Sequence, residues 1–416
     1  MSDKIKIFTI SDHPLSPSGV GTQTKYIIEG MLKTGKYQFV SFGGAVKHGN
    51  HQPQKTEQYG EDWIIWPVDG YGTPDQVRAM IHQQKPDILW FMTDPRFYGW
   101  LWQIENEIRP HVPMVYYHVW DNYPYPRFNR VFYRSTDHVA CISKLTYDIL
   151  QNVAPETASS YVPHAVDGDI FKPIDAAEIR KFKQQRGLGG KFVCFWNNRN
   201  ARRKQSGTLI WWFKEFLDKV GHDKATLIMH TDVKDVHGQD LEAIIQELGI
   251  TDGEVLFSRD KVGPQDLAMV YNAADVTVNI SDAEGFGLAT LESLSCGTPI
   301  IVNLTGGLQD QITDGEIEFG VGLTPTSKAI IGSQNVPYIY EDRVCKEDFI
   351  NALMKLYKMS EEERTALGSA ARKYTQQEFN FDTFIETWDT LFTSINEELG
   401  SWESRTGYQP YEVRTF

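Results

Sequence analysis

The 416-residue sequence contains only four cysteines, and they are far apart. They are Cys141, Cys194, Cys296 and Cys345. No two of them have the short spacing of a zinc site, a redox pair or a disulfide framework. A reducing compartment suits such a chain, so we predict a cytoplasmic protein and no metal site.

Long apolar runs are also missing. No stretch approaches the ~20 consecutive apolar residues that a membrane-spanning helix needs. Residues 1–12, MSDKIKIFTISD, have the pattern of a first β-strand rather than of a signal peptide. We therefore expect no integral membrane association.

Positive charge is scarce relative to negative charge. Lys and Arg number 41 against 55 Asp and Glu, which gives a formal net charge of -14. Proteins that coat nucleic acid depend on many Lys and Arg contacts to phosphate, so the acidic balance argues against that class while leaving room for one local basic cleft. The hydrophobic content of 41% indicates a globular protein, and the length suits two or three domains.

Short apolar runs alternate with helical patterns in the first part of the chain. Such runs occupy residues 4–10, 37–42, 87–92, 112–119 and 137–143. Their β-branched and aromatic residues predict strands, and alternation with helices predicts a parallel sheet with crossover helices. We predict an N-terminal Rossmann-like, acceptor-side domain over residues 1–165.

This pattern breaks at residues 161–173, YVPHAVDGDIFKP, where turn residues and two prolines indicate a domain boundary. The alternation then restarts with strands at residues 191–196, 225–230, 254–258, 275–281 and 298–303. We predict a second Rossmann-like domain over 166–385 and a C-terminal helix and tail over 386–416 that returns to the first domain. Ligands of open parallel sheets bind beyond the carboxyl ends of strands, so two such α/β domains facing each other would enclose a cleft.

A run of basic residues follows the strand predicted at 191–196. Residues 197–207, NNRNARRKQSG, precede a predicted helix and contain Arg199, Arg202, Arg203 and Lys204. The start of a helix offers free N–H groups and the positive end of a dipole, and Arg and Lys add charge-assisted bonds to phosphate. The placement is typical of a phosphate site, although a solvated basic patch explains the run equally well.

Two glutamates, Glu284 and Glu292, stand in the segment 282–299, DAEGFGLATLESLSCGTP. Glu284 lies in a predicted loop whose glycines allow the backbone to approach a ligand closely. Glu292 lies one turn into a predicted helix, so the two carboxylates should be on the order of 7–10 Å apart. One small group cannot bind both, but a long ligand with hydroxyl-rich ends can, because carboxylates accept hydrogen bonds from vicinal diols. For Glu292 the alternative is a surface acid on an amphipathic helix.

In combination these motifs resemble the donor site of a known enzyme family. The Glu-X7-Glu element of residues 284–292, followed by SCGTPIIV and TGGLQDQI, and the Arg-X4-Lys element from Arg199 to Lys204 are similar to those of retaining glycosyltransferases of the GT4 family, the glycosyl transferases group 1. Residues 161–173 resemble that family's domain junction. The resemblance implies a GT-B fold, in which two Rossmann-like doubly wound domains face each other across a cleft.

The resemblance also implies a nucleotide-diphosphate-sugar donor, held mostly by the second domain. Arg199 and Lys204 would hold the diphosphate and stabilise the leaving group. Glu292 would bind the ribose, and the base would lie against Phe257 and Ser258. UDP donors are favoured, while GDP, ADP and dTDP donors stay open.

The transferred sugar would face Glu284 in the same family. The backbone N–H groups of Gly285, Phe286 and Gly287 would lie alongside it. The resemblance gives Arg202 and Arg203 no defined contact.

The first domain offers further candidates after its predicted strands. Gly19 and Gly21 lie in a predicted loop before a helix and could present N–H groups to the donor, as the glycine loop of similar enzymes does, but an ordinary strand-to-helix turn explains them equally well. His118 ends the strand at 112–119, and a histidine in this region of similar enzymes reaches the reacting sugar. A lone histidine is, however, more often structural.

Polar and aromatic residues near these strand ends are candidates for the acceptor side: Asp94, Trp120 and Asp121. They serve equally well as core and rim packing. The acceptor class is open among glycans, small molecules, proteins and modified nucleic acid, and the sequence carries no signal for an oligomeric state.

The sequence thus predicts a retaining glycosyltransferase that moves a hexosyl or pentosyl group to an acceptor hydroxyl by metal-independent front-face displacement. Its catalytic set would be Glu284, His118, Arg199 and Lys204. Three alternatives stay open: another GT-B enzyme such as a nucleotide-sugar epimerase or a phosphorylase, a glycosyltransferase that acts on modified DNA, and a non-catalytic sugar- or DNA-binding relative.

Overall fold

The computed structural model describes residues 4–409, and its chain divides into two units. The first unit contains the residues up to His164 together with those from Asp382 onward, and the second spans Ala165–Phe381. The sequence analysis placed the two boundaries after residues 165 and 385. The part of the predicted tail beyond residue 409 lies outside the described residues.

An eight-stranded sheet forms the centre of the first unit. Its strands are β1 (Ile5–Asp12), β2 (Tyr37–Gly44), β3 (Gln54–Thr56), β4 (Gly60–Pro67), β5 (Ile88–Met92), β6 (Met114–His118), β7 (His138–Cys141) and β8 (Ser159–Tyr161). They lie in the order β3-β4-β2-β1-β5-β6-β7-β8, and only the edge pair of β3 with β4 is antiparallel. Every residue of β5 and β6 is buried, because helices cover both faces of a parallel sheet.

Helices connect most of these strands. They are α1 (Gly19–Lys33), α2 (Pro74–Gln84), α3 (Gly99–Trp102), α4 (Glu105–Ile108), α5 (Arg130–Arg134) and α6 (Lys144–Val153). Polar side chains start several of them: Thr73 caps α2, and Ser143 forms a capping box with Thr146 at the start of α6.

The second unit contains a six-stranded sheet in which all neighbouring strands are parallel. Its strands are β9 (Phe192–Asn197), β10 (Ala225–His230), β11 (Val255–Ser258), β12 (Val276–Asn279), β13 (Ile300–Asn303) and β14 (Gly320–Leu323). The order is β11-β10-β9-β12-β13-β14, so the chain builds outward from β9 in one direction and then from β12 in the other. The five strands predicted for this unit are confirmed, and β14 is an additional edge strand.

Helices and a hairpin complete the second unit. The helices are α7 (Ala176–Gln185), α8 (Ser206–Val220), α9 (Leu241–Glu247), α10 (Pro264–Ala273), α11 (Leu288–Ser295), α12 (Lys346–Lys358) and α13 (Glu361–Glu378). The hairpin pairs β15 (Ser327–Ile331) with β16 (Ile339–Arg343) in antiparallel fashion and was not predicted. Its residues alternate poorly between buried and exposed positions, so the sequence lacks the apolar pattern of the central strands.

The last long helix, α14 (Phe381–Leu399), supplies an apolar stripe to the first unit. Its buried residues are Phe384, Trp388, Phe392 and Ile395, a spacing that places them on one helix face. The Trp388 ring is fully buried and lies 4.9 Å from the Tyr117 ring and 6.0 Å from the Trp90 ring, between centroids. The C-terminal helix therefore contributes to the first unit's core.

Among the described residues, no helix is both long and apolar enough to cross a membrane.

We expect Trp388→Ala to lower the free energy of unfolding of the first unit by about 3–5 kcal/mol, since a large buried side chain would be replaced by a cavity. Denaturant unfolding of the full chain, followed by circular dichroism, measures this change. Trp211→Ala is the control, because Trp211 is 48% exposed on α8. An equal effect of the two substitutions would contradict a core position for α14.

Candidate functional site

The centre of the second sheet is the point where the strand order reverses. Strands β9 and β12 are neighbours there, and the connections that follow them leave toward opposite sides of the sheet. A crevice for ligands forms beyond the carboxyl ends of strands at such a point. The two segments that reach this crevice are the basic loop (residues 198–205, after β9) and the glycine loop (residues 280–287, after β12).

Asn200 fixes the path of the basic loop. This asparagine is fully buried, and its Nδ2 atom donates to the Gln239 carbonyl oxygen at 2.7 Å. The Ser206 hydroxyl donates to Asn200 Oδ1 at 2.7 Å. A Cβ atom added to Gly238 would lie 1.9 Å from the Asn200 carbonyl oxygen, so only glycine fits there. The loop is thereby held between α8 and the segment that follows β10.

Each basic side chain of this loop contacts an acidic group or a carbonyl. The pairs are Arg199 with Asp235, Arg202 with Glu341, Arg203 with the Ala283 carbonyl oxygen, and Lys204 with Glu284. Arg199 makes two bonds to its carboxylate, of 2.6 and 3.1 Å, and its side chain is 61% exposed. An anionic ligand would reach Arg199 from solvent and would compete with Asp235 for it. Arg202 and Arg203 connect the basic loop to the hairpin and to the glycine loop.

Lys204 and Glu284 form a buried ion pair between the two loops. Lys204 is 7% and Glu284 9% exposed. Burial by itself would raise the pKa of Glu284, but the charges of Lys204 and Arg203 outweigh it and hold this pKa below its usual value. Asn279 Nδ2 also donates to the Glu284 carboxylate, at 3.2 Å. Glu284 is therefore a carboxylate in a fixed position at the crevice.

Glu292 lies five residues into α11 and keeps part of its surface exposed. Its Oε2 atom accepts a hydrogen bond of 2.7 Å from the Tyr271 hydroxyl. Burial raises the pKa of Glu292 to about 7, and the bond from Tyr271 works in the opposite direction. The two glutamates thus have different surroundings, since Glu284 has a cationic partner and Glu292 a neutral one.

The glycine loop packs directly against the segment after β13. The Gly307 N–H donates to the Glu284 carbonyl oxygen at 3.1 Å. A Cβ atom on Gly307 would lie 2.6 Å from the Phe286 Cα atom. Gln311 Nε2 donates to the carbonyl oxygens of Phe286 and Gly287 at 2.7 and 3.1 Å. Gly287 has a φ of +90°, which favours glycine at the turn into α11.

Phe257 and Ser258 end the edge strand β11 and are partly exposed. The Ser258 hydroxyl lies 2.9 Å from His230 Nδ1, and the Arg259 guanidinium lies 5.9 Å from the Phe257 ring centroid. A role for the two residues beside a base stays a prediction.

The structure corrects the placement of Gly19 and Gly21. They are the first and third residues of α1 rather than loop residues. The Gly21 N–H donates to the Ser18 side chain that caps the helix, and a Cβ atom on Gly21 would lie 2.6 Å from Ser16 Oγ. Close packing at the start of α1 is therefore sufficient to require glycine at residue 21, and donor binding by either glycine stays a prediction.

His118 ends β6 within the first unit and has no exposed surface. Its Nε2 atom lies 2.8 Å from the Tyr133 hydroxyl and its Nδ1 atom 3.8 Å from Cys141 Sγ. Burial lowers the pKa of His118 to about 3, so the imidazole is neutral. Contact with a ligand would require these neighbours to move, and the catalytic role stays a prediction.

The three acceptor-side candidates lie beyond β5 and β6. Asp94 accepts from the Arg96 backbone N–H at 2.9 Å and pairs with the Arg96 guanidinium. Trp120 is buried, and its ring N–H donates to the Asn122 carbonyl oxygen at 2.8 Å. Asp121 is partly exposed and close enough to Arg96 to raise the pKa of that guanidinium, behind the stronger contribution of Asp94. Acceptor binding by these residues stays a prediction.

Three residues at the second unit's site were missed in the sequence: Asp235, Tyr271 and Glu341. Asp235 stands between Lys234 and Val236 in the polar segment TDVKDVHG and has no periodic pattern around it. Tyr271 is one of several apolar or aromatic residues on α10, so it reads as a core residue. Glu341 lies in a hairpin. The sequence indicates this hairpin only by two short runs, SKAII and IYEDR, on either side of GSQNVPY.

Comparisons with known proteins agree with the predicted fold. Residues 178–374 match the family model described as Glycosyl transferases group 1. The structure resembles that of sucrose-phosphate synthase from Thermosynechococcus elongatus, with a TM-score of 0.75, 17% identity, and coverage of 95% of this chain and 100% of that one. It also resembles Anabaena HepE in complex with UDP-glucose, with a TM-score of 0.70, 17% identity, and coverage of 94% and 99%. These similarities confirm two Rossmann-like domains of the GT-B type.

Among curated sequences, D-inositol 3-phosphate glycosyltransferase from Acidothermus cellulolyticus is 31% identical over 160 residues. The match covers 37% of this chain and 35% of that relative. The chain therefore matches about a third of the length of this curated relative.

We expect Gly307→Ala to lower the free energy of unfolding of the second unit by about 1–3 kcal/mol, because the added methyl group has no room against the glycine loop. Gly189→Ala is the matched control, since its nearest contact would be an ordinary 4.0 Å from Gln184. Denaturant unfolding of both variants checks this. Equal stability of the two would show that residues 306–307 do not support the glycine loop as closely as described.

Proposed function

We propose that this protein transfers a glycosyl group from a nucleotide-diphosphate sugar to an acceptor hydroxyl, because residues 178–374 match the family model described as Glycosyl transferases group 1. The observation that carries the proposal is the buried contact between Lys204 and Glu284 at the strand-order reversal of the second sheet. It joins the cationic loop expected at a diphosphate to the carboxylate expected at a sugar. The UDP-glucose complex of the similar Anabaena HepE supports a UDP sugar as the donor.

The donor would lie along the basic and glycine loops. Arg199 and Lys204 would supply positive charge to the diphosphate, and charge-assisted bonds of this kind are stronger than neutral ones. Glu292 would accept from the ribose hydroxyls, while Phe257 and Ser258 would lie beside the base. The Arg199 side chain is 61% exposed, which suits a group that exchanges Asp235 for phosphate.

The transferred sugar would lie at Glu284 and the backbone of Gly285, Phe286 and Gly287. Glu284 is held by Lys204 and Asn279 on the same oxygen, Oε2. A carboxylate restrained in this way suits hydrogen bonding to sugar hydroxyls and stabilisation of positive charge at the anomeric carbon. We therefore assign it electrostatic and positioning roles rather than the role of a nucleophile.

The proposed reaction is front-face displacement with retention of configuration. The bond from the anomeric carbon to the diphosphate oxygen breaks as the acceptor oxygen bonds the same face, and the departing phosphate oxygen takes the acceptor's proton. The protein's contribution is orientation of both reactants and stabilisation of the negative charge that develops on the diphosphate. Arginine and lysine would provide that stabilisation, so the proposal includes no metal ion.

We expect a nucleotide or nucleotide sugar to stabilise the protein in a thermal-shift screen of UDP, GDP, ADP and dTDP and their glucose derivatives. A ligand at about 100 times its Kd adds roughly 2.7 kcal/mol to the free energy of unfolding, because it binds the native state alone. No stabilisation by any of these compounds would contradict the proposal. Sugar release without an acceptor, or turnover that depends on inorganic phosphate, would indicate a different reaction at the same site.

We expect Arg199→Ala to lower kcat for nucleotide-sugar turnover by about 10²–10³, because the leaving diphosphate loses a preorganised cation. This variant is more informative than Lys204→Ala, which would leave the buried Glu284 carboxylate without its partner. Nucleoside diphosphate release at saturating donor gives the rate. Arg186→Ala removes an exposed arginine at the end of α7 and is the control. Equal rates for both variants would contradict the diphosphate role of Arg199.

A further inference from the structure

Tyr271 connects two parts of the candidate site that are far apart in the sequence. It lies on α10 and is fully buried. Its hydroxyl accepts from Asn197 Nδ2 at 2.9 Å and donates to Glu292 Oε2 at 2.7 Å. Asn197 is the last residue of β9, immediately before the basic loop. A three-residue chain of hydrogen bonds thus runs from the end of β9 to the middle of α11.

The direction of these bonds is fixed by chemistry. The Asn197 amide nitrogen can only donate, so it occupies a lone pair of the Tyr271 oxygen. The single hydrogen of the phenol is then available for Glu292. Among the described residues, Tyr271 is the one hydrogen-bond partner of the Glu292 carboxylate. Oε2 is therefore held by Tyr271, and the structure gives Oε1 no hydrogen bond to the described residues.

We propose that Tyr271 is a positioning residue that orients the Glu292 carboxylate toward the ribose hydroxyls of the donor. This inference rests on the proposed function. It goes further by assigning a role in ribose binding to Tyr271, a residue outside the Glu-X7-Glu element, through its hydrogen bond to Glu292. Tyr271 acts through Glu292 and touches no reacting atom. Its effect should therefore appear in nucleotide affinity rather than in the rate of glycosyl transfer.

The same bond has a consequence for pH dependence. Burial raises the pKa of Glu292 to about 7, and the hydrogen bond from Tyr271 lowers it because a donated hydrogen bond favours the ionised form. Among the described residues, the titratable groups next to it at the end of α11 include Cys296, which follows the helix, and Arg372 of α13, whose charge acts on Cys296. Strands β12 and β13 contribute none. Loss of the Tyr271 hydroxyl should therefore raise this pKa, so that Glu292 becomes protonated at a higher pH.

The test compares the binding of UDP and 2′-deoxy-UDP by calorimetry across pH 5.5–8.5. The two ligands share the same diphosphate and base, so the ratio of their Kd values isolates recognition of the 2′-hydroxyl. A site built to bond a hydroxyl discriminates strongly against the analogue that lacks it. In the unmodified protein we expect UDP to be favoured at least about tenfold above pH 7 and less so below it.

We expect Tyr271→Phe to reduce this preference about threefold and to move its pH midpoint upward. Tyr37→Phe is the matched control: Tyr37 is also fully buried, and its hydroxyl donates to the Asp389 carboxylate at 2.7 Å within the first unit. The control should lose a similar amount of stability and keep both the preference and the midpoint. A change of the same size in Tyr37→Phe would overturn the inference, because the effect would then be a general loss of stability.

Glu292→Gln separates this inference from the proposed function. If Glu292→Gln abolishes the preference while Tyr271→Phe leaves preference and midpoint unchanged, Tyr271 does not position Glu292 and the function stands. If the unmodified protein binds UDP and 2′-deoxy-UDP equally, Glu292 does not read the ribose and the inference is overturned. If it binds no ribonucleoside diphosphate at all, the proposed function fails and the inference fails with it.

Asn197→Ala provides a second route in case Tyr271→Phe does not fold. It retains both Tyr271 and Glu292 but removes the bond that directs the phenol hydrogen. We expect a smaller reduction of the UDP preference in the same direction. An unchanged preference in a folded Asn197→Ala protein would overturn the three-residue chain.

Discussion

The buried ion pair of Lys204 and Glu284 holds together the two loops at the centre of the second sheet. Removing two charges from water costs several kcal/mol per ion, and their attraction offsets this only in a favourable geometry. Each loop therefore depends on the other, since loss of one partner would leave a buried charge uncompensated. The pair thus joins the basic loop to the glycine loop.

Hydrogen bonds from neighbouring segments also hold the same two loops in place. Gln311 binds two carbonyl oxygens of the glycine loop, and Asn200 is fixed between Gln239 and Ser206. The hairpin adds a third support, because Glu341 binds Arg202 and the Asp342 N–H donates to the Asp282 carbonyl oxygen at 2.9 Å. Groups that are held before a ligand arrives need little rearrangement when charge develops on that ligand. Arg199 differs from them, since its partner Asp235 holds it at the surface.

The fold was readable from the sequence because parallel strands buried on both faces appear as continuous apolar runs. The proximity of the basic and glycine loops was predictable for a related reason: side chains that follow the neighbouring parallel strands β9 and β12 meet at one edge of the sheet. The burial of His118 could not be predicted from the sequence. A residue at the end of a strand is exposed only if helices leave that part of the sheet uncovered, and the sequence does not show this. In β6 both faces are covered, so His118 lies in the core.

The partners of the site residues could not be predicted at all. Asp235, Tyr271 and Glu341 are 36, 21 and 139 residues away from the groups they bind. Only the folded chain brings them together, and nothing in their local pattern distinguishes them from ordinary surface or core residues. The hairpin was not predicted because its strands have no buried apolar face. The contacts that hold it are the pairing of β15 with β16 and the ion pair of Glu341 with Arg202.

The contribution of α14 to the first unit determines the order in which the protein can be completed during synthesis. Trp388 emerges from the ribosome only after the whole of residues 165–381 has been made. Most of the second unit is therefore synthesised while the first still lacks the helix that packs beside Trp90 and Tyr117. Until then the core of the first unit lacks the ring that packs against both of these aromatic residues.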